Sequence, residues 1–481
     1  MSTTKKSAPP PALAVLFFRD ALSRASHLKN ETYTLSDYEY RSPTPPRVAK
    51  LIHDIVEHGE NAIRDEWAEY RRANTDEDRR TILNNVQVWD SMLRMTGGRL
   101  RYIIGASAPR VPSGLGLLLE TIIQDQGLGD GILLREKWTY NYSIDITPIE
   151  QLYYNLFSGI LATKDLASIF GDEGALSSTY AIGFPAIERN NTLLHCAIAH
   201  EIGHIAVERW LTQNYDSDTR ATSDSRAAAT RLINPETVPP NLEEWGEILA
   251  AMSRIHTARR RFLQEYGSDI YAVELFGPAA LLSMANIAMS QGLDSEPGAD
   301  AGYYPSWRSR LRFALDWLNR ESPDSWLPRP TPNNSWAVAL ASHLSHIDHF
   351  LGPMLVPTNP EMAEADRLAK QTLVLLGQDL AARIPLKRRE SMEQAYILAD
   401  RIAELIPPND IGSDQRQPVP PYLWAILNAG WLHTIHASET NAHALDDEDD
   451  SGVVNRLILK ALSDVIVMRG FRQHQEATTT S

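Results

Sequence analysis

Apolar residues recur at three- and four-residue steps along most of this chain, and that spacing predicts helices. From Ala12 to about Ile104 the pattern is helical. Pro45-Pro46 gives a start signal before RVAKLIHDIVEHGENAIRDEWAEYRR, where Val48, Leu51, Ile52 and Ile55 share one face. A second amphipathic run, DEDRRTILNNVQVWDSMLRM, follows Asn74-Thr75. Residues 1–11 are polar and Pro-rich, a composition expected to stay disordered. After Trp210 a polar loop, TQNYDSDTRATSDSR, leads to a helix ending near Pro235. Asn241 and Glu244 then make a capping-box signature that opens a helical tract to about Ser290. The remainder alternates amphipathic runs with Pro-rich breaks at 322–334, 356–362, 406–410 and 417–422, and the acidic run 446–450 reads as a loop.

The middle departs from this pattern. Gly114, Gly116, Gly127, Gly129 and Gly131 punctuate short apolar runs. They lack the G-x-G-x-x-G spacing of a phosphate cradle, so they predict turns. KWTYNYSIDI, 137–146, has the near alternation and aromatic content of a strand. A helix from about Pro148 to Leu161 separates it from a second extended candidate, SSTYAIGFPAIE, 177–188, whose Pro185 marks an edge strand or its end. Asn190-Asn191-Thr192 offers an N-cap for a helix running to about Trp210. An exposed strand edge just ahead of that helix would let an extended peptide pair beside it. The expected class is therefore α+β, predominantly helical, with a small mixed sheet. The expected parts are a tail (1–11), a helical region (12–130), a core (131–292) and a second helical region (293–481).

Composition narrows the partners. A chain of 481 residues with 43% hydrophobic and 22% charged residues can bury a sizeable core. Its net charge of −15 argues against nucleic acid, which needs clustered lysine and arginine. Arg259-Arg260-Arg261 is expected to be a solvated helix face. The single cysteine, Cys196, allows no intrachain disulfide and fits a reducing compartment. No signal peptide is recognisable, and the apolar stretch Leu275 to Met289 is broken by Gly277-Pro278 and too short for a membrane span. A cytoplasmic protein that meets no membrane is the expectation.

The helix after Asn191 carries the chemistry. AHEIGH, 199–204, puts His200 and His204 one turn apart, about 6 Å along the axis on one face, with Glu201 beside them. Two imidazoles so spaced suit one metal ion, with a carboxylate placed to handle a water. Cys196 and Glu208 lie on the same face but each is about 12 Å of helix from the far histidine, so the third ligand must come from another element. Glu265, in the run Glu265-Tyr266-Gly267-Ser268-Asp269, is the candidate, because Asp269 lies one turn on and can accept the outer N–H of a ligating histidine. Glu274 is a rival turned about 180° away on that helix. His195 is expected to be structural and Cys196 an apolar packer. His343, His346 and His349, three apart, are geometrically able to form a second site but read as a helix surface.

HExxH followed by ExxSD, at His200, Glu201, His204, Glu265, Ser268 and Asp269, resembles the gluzincin branch of zinc metallopeptidases. The following IYAVELFGPAALL is similar to a tract of bacterial proteins that carry this motif. Sixty residues lie between His204 and Glu265, a longer spacing than in compact thermolysin-like members. The resemblance implies a zincin-like core, Zn2+ on His200, His204 and Glu265, Glu201 as base and Asp269 orienting a histidine. A peptide or protein would be the substrate. Tyr266, Tyr271, His256, Tyr303 and Tyr304 are candidate oxyanion donors. The alternatives are a catalytically silent metal-binding scaffold, or a helical interaction module with an accidental motif.

Overall fold

The structure, a computed structural model, describes residues 11–40, 42–108, 110–159, 163–170, 177–234, 240–294, 304–320, 324–327, 334–384, 386–412, 419–440 and 448–479. The expected disordered tail, but for Pro11, lies outside them. The chain is predominantly helical with one small sheet, as its periodicity predicts. By contact it forms two compact units, the first Met1–Val111, Gly129–Glu136 and Thr147–Ala181, the second Pro112–Leu128, Lys137–Ile146 and Ile182–Ser481.

In the first unit α1 (Pro11–Ser36), α2 (Thr44–Arg72) and α3 (Asp76–Gly105) pack together. The apolar face expected on α2 is buried at Val48, Ile52 and Ile55, and Phe18 of α1 stacks near Trp67 and Tyr70. Thr75 caps α3 by accepting from the Asp78 amide. This unit also holds α5 (Ile149–Phe157) and α6 (Thr163–Phe170), and the Glu150 carboxylate accepts from the amide and hydroxyl of Thr179.

Three strands, β1 (Gly131–Lys137), β2 (Ser143–Asp145) and β3 (Thr179–Pro185), pair in the order β1-β3-β2. Two strand expectations are corrected. The 137–146 run is not one strand: β1 lies earlier, in GILLREK, and residues 138–142 leave the sheet before β2. A strand buried at its first four positions shows an apolar run rather than alternation, which hid it. Within 177–188 the strand is Thr179–Pro185, buried and central rather than an edge; Pro185 ends it, the second of the two readings, and Ala186–Glu188 turn as 3₁₀ helix. The edge available beside the motif helix is therefore that of β2.

In the second unit α9 (Leu242–Phe276) is the axis, with the capping box at Asn241 and Glu244 present as expected. Against it pack α7 (Ile198–Asn214), α8 (Thr219–Ile233), α10 (Pro278–Gln291), α11 (Trp307–Leu318) and α13 (Pro360–Arg383). Every residue from Phe262 to Phe276 is buried, so this helix is enclosed on all sides. The unit also contains α4 (Ser113–Asp125), α12 (Ser335–Leu351), α14 (Arg388–Ala403), α15 (Leu423–Thr440) and α16 (Glu448–Thr479). Gly114 and Gly116, expected in turns, belong to α4. A Cβ on Gly114 would stand 2.5 Å from the Leu459 carbonyl, so the glycine serves a close helix approach. The polar stretch after Trp210 is mostly helix, since α7 runs to Asn214 and Asp218 already caps α8. The acidic run enters α16 at Glu448 instead of forming a loop, and its first two residues lie outside those described. Among the described residues no helix is long and apolar enough to cross a membrane.

Candidate metal centre

The helix bearing AHEIGH begins later than its N-cap signal suggests. A 3₁₀ turn (Leu194–Ala197) precedes α7, and Ser283 and Trp431 donate to the carbonyls of Leu194 and Leu193 there. Where α7 crosses α9 the two backbones nearly touch: a Cβ on Gly203 would fall 2.8 Å from the Ser268 Cα. That approach, available only to glycine, sets the first helix's histidines against the second helix's acids.

His200 Nδ1 lies 2.8 Å from Asp269 Oδ1, and because a carboxylate only accepts, Nδ1 carries the proton. His204 Nδ1 is hydrogen-bonded to Ser268 Oγ at 3.1 Å. Both Nε2 atoms turn to Glu265, at 3.5 Å for His200 and 3.9 Å for His204. Chosen ligand atoms of the three residues all lie within 4.8 Å of one another. Tetrahedral ligands at about 2.0–2.2 Å from an ion are roughly 3.3–3.5 Å apart, so small side-chain rotations close the set. With Nδ1 of each ring engaged, Nε2 is the atom that faces Glu265, and the donor set fits a divalent ion of borderline softness. His200 and Glu265, both buried, and the half-buried His204 can hold a metal ion, and among the described residues no other group of His, Cys, Asp and Glu does so.

Arg310, unsuspected from the sequence, completes the cluster. From α11 its Nε and Nη2 grip the two oxygens of Asp269 at 2.9 and 2.7 Å, and its Nη1 stands 3.2 Å from Glu265 Oε2. Nη2 also comes within 3.2 Å of His200 Nε2, and Trp307 lies under the guanidinium. Burial raises the Glu265 carboxyl, but Arg310 and the two imidazoles outweigh it and hold it well below the usual carboxylate range. The same competition, led on the lowering side by Arg310, keeps Asp269 ionised. Burial and Arg310 pull His200 down, yet Asp269 and Glu265 prevail and raise it to about 9. His204 goes the other way, burial and then the His200 charge lowering it to about 3. Ligation through His200 Nε2 would therefore release a proton. Burial pushes Glu201 up, with Glu265 adding and His200 and Arg310 opposing.

His200, Glu201, His204, Glu265 and Arg310 open on one cavity of about 500 Å³. Its walls include Tyr140, Tyr142 and Ile144 from the segment around β2, Met284 and Ile287 of α10, and Tyr304. The Tyr142 hydroxyl donates to His195 Nδ1 at 3.1 Å, the other ring nitrogen facing the Arg189 carbonyl, which ties that wall to the start of the motif helix. His195 is buried and pulled down to about 4, and burial pushes the Cys196 thiol up to about 12, so both are structural groups, as expected.

The other candidates fall away from the cavity. Glu208 accepts from Arg260 and Gln264, and Glu274 accepts from Trp317 and Arg320 and pairs with the Arg388 charge. Tyr266 donates to Asp366, Tyr271 is enclosed, and His256 faces Tyr215. Tyr303 lies outside the described residues, which leaves Tyr304 as the predicted oxyanion donor that lines the cavity. His346 and His349 are exposed and His343 half-buried on α12, a surface as expected. The chain matches no family model, no curated protein and no solved structure.

Proposed function

We propose that this chain is a zinc-dependent peptidase of gluzincin-like ligand set, hydrolysing peptide or other amide bonds with an activated water. The observation that carries the reading is the placement of Glu201 in the same cavity as a buried His-His-carboxylate set whose Nδ1 atoms are already engaged. Mixed imidazole and carboxylate donors favour zinc. Zinc there would supply Lewis acidity to a water and to the scissile carbonyl.

The chain's own residues do the rest. Glu201, its carboxyl pushed up by burial, accepts the water proton and returns it to the leaving nitrogen. Asp269 and Ser268 fix the ring orientations of His200 and His204. Arg310 fixes Glu265 and Asp269 in turn. Tyr304, on the cavity wall, would donate to the developing oxyanion. The edge of β2, with Ser143 and Ile144 on the cavity, offers an extended peptide a backbone to pair with. A peptide met in the cytoplasm suits the single buried, unpaired cysteine.

One observation favours the silent scaffold: Arg310 puts a second cation 3.2 Å from the metal-facing nitrogen of His200. Glu201→Gln decides between them. We expect it to retain stoichiometric zinc while peptide hydrolysis falls about a hundredfold or more. Hydrolysis that survives removes Glu201 as base, and a wild-type protein that binds zinc but cleaves nothing in a peptide library is the scaffold.

A further inference from the structure

We infer that the substrate of this cavity carries a carboxylate close to the scissile bond, and that Arg261 receives it. The inference deepens the peptidase reading and rests on it for the chemistry, though its binding component stands by itself.

Two arginines line the cavity, and they are placed differently. Arg310, with a side chain 8% exposed, spends its fork on Asp269 and Glu265. Arg261, one turn before Glu265 on α9, is 36% exposed. Its Nη1 donates to Gln264 Oε1 at 3.2 Å, a neutral partner, and its guanidinium lies 4.2 Å from the centre of the Tyr304 ring. The nearest carboxylate is Glu265 at 3.9 Å from Nε, and that group is already held by Arg310 and turned to both histidines. A guanidinium offers five donors in a fixed fork that matches a carboxylate. Arg261 has one hydrogen bond to a neutral group and an aromatic shelf, and it faces the cavity.

The charges point the same way. Arg310 is met by both Asp269 and Glu265, whereas the nearest carboxylate to Arg261 is Glu265 at 3.9 Å, so a substrate carboxylate supplies Arg261 with a closer partner. Tyr142, Ile144, Met284 and Ile287 supply walls for an apolar neighbour. The ligand class is therefore a short peptide stretch with an apolar residue and a carboxylate, contributed either by an Asp or Glu side chain or by a free C-terminus.

Binding separates the two sources. Zinc-loaded Glu201→Gln protein is titrated calorimetrically with two pairs of short peptides: Glu against Gln with both ends capped, and a free against an amidated C-terminus in a neutral sequence. We expect the charged member of one pair to bind about tenfold more tightly than its twin, the worth of one charge-assisted bond. That ratio should collapse towards one in the added Arg261→Met variant and return in part with Arg261→Lys, zinc content being equal in all three. The absence of a preference in both pairs, or a preference that Arg261→Met leaves intact, overturns the inference. Failure of the peptidase reading looks different: the wild-type zinc protein cleaves none of these peptides while the Arg261-dependent preference persists.

Discussion

Ser268 and Asp269, neighbours on α9, each engage the Nδ1 of a different histidine on α7. The Asp269 role is legible in the sequence, because a carboxylate one turn past a ligand has a known use; the Ser268 bond needs the crossing to be seen. Helical spacing sets Arg310 on the apolar face of α11 with Leu311 and Ala314, apart from Arg308 and Arg312, but only the fold shows that the acids of α9 meet it there. His195 gives the residue scale its pH prediction. Burial lowers it from 6.5 to about 4, so between those values the unfolded chain binds the extra proton. Stability contributed by the neutral, buried ring is complete above pH 6.5 and is lost as pH falls towards 4, at a cost of up to about 3 kcal/mol. Urea unfolding across that window should show a shallower pH slope in His195→Gln than in wild type, and equal slopes would refute the assignment.

At the scale of elements, periodicity serves well wherever a helix has a wet face, as α2 does. It fails where an element is enclosed. β1 hides because its buried end is a plain apolar run, and α4 hides because Gly114 is needed against the Leu459 carbonyl. Gly203 reads in the sequence as a filler inside HExxH, yet it sets the distance between the two helices that build the site. In Gly203→Ala the new Cβ would meet the Ser268 backbone at 2.8 and 2.9 Å, so α7 and α9 must part. We expect a loss of about 1–3 kcal/mol in chemical denaturation, together with weaker zinc binding in a chelator competition. Unchanged zinc affinity would mean that the crossing tolerates the extra methyl.

For the whole molecule, the candidate ligands all belong to the second unit, on α7 and α9. An ion bound there and not by the unfolded chain stabilises that unit, by about 2.7 kcal/mol at free zinc a hundred times its Kd. Calorimetric scans should show that unit's melting temperature rise with zinc and fall with chelator. His204→Ala should melt at the same temperature in both, and a zinc shift that survives this variant would place the ion elsewhere.

Sequence alone determines the helical class, the capping of α9, the His200–His204 pair with Glu201, and the choice of Glu265 with Asp269, because each depends on spacing within one helix. Tertiary structure alone decides which strand forms the edge, which arginine is buried against the ligands and which is left facing the cavity. Those are contacts between segments far apart in the chain, and no local period records them.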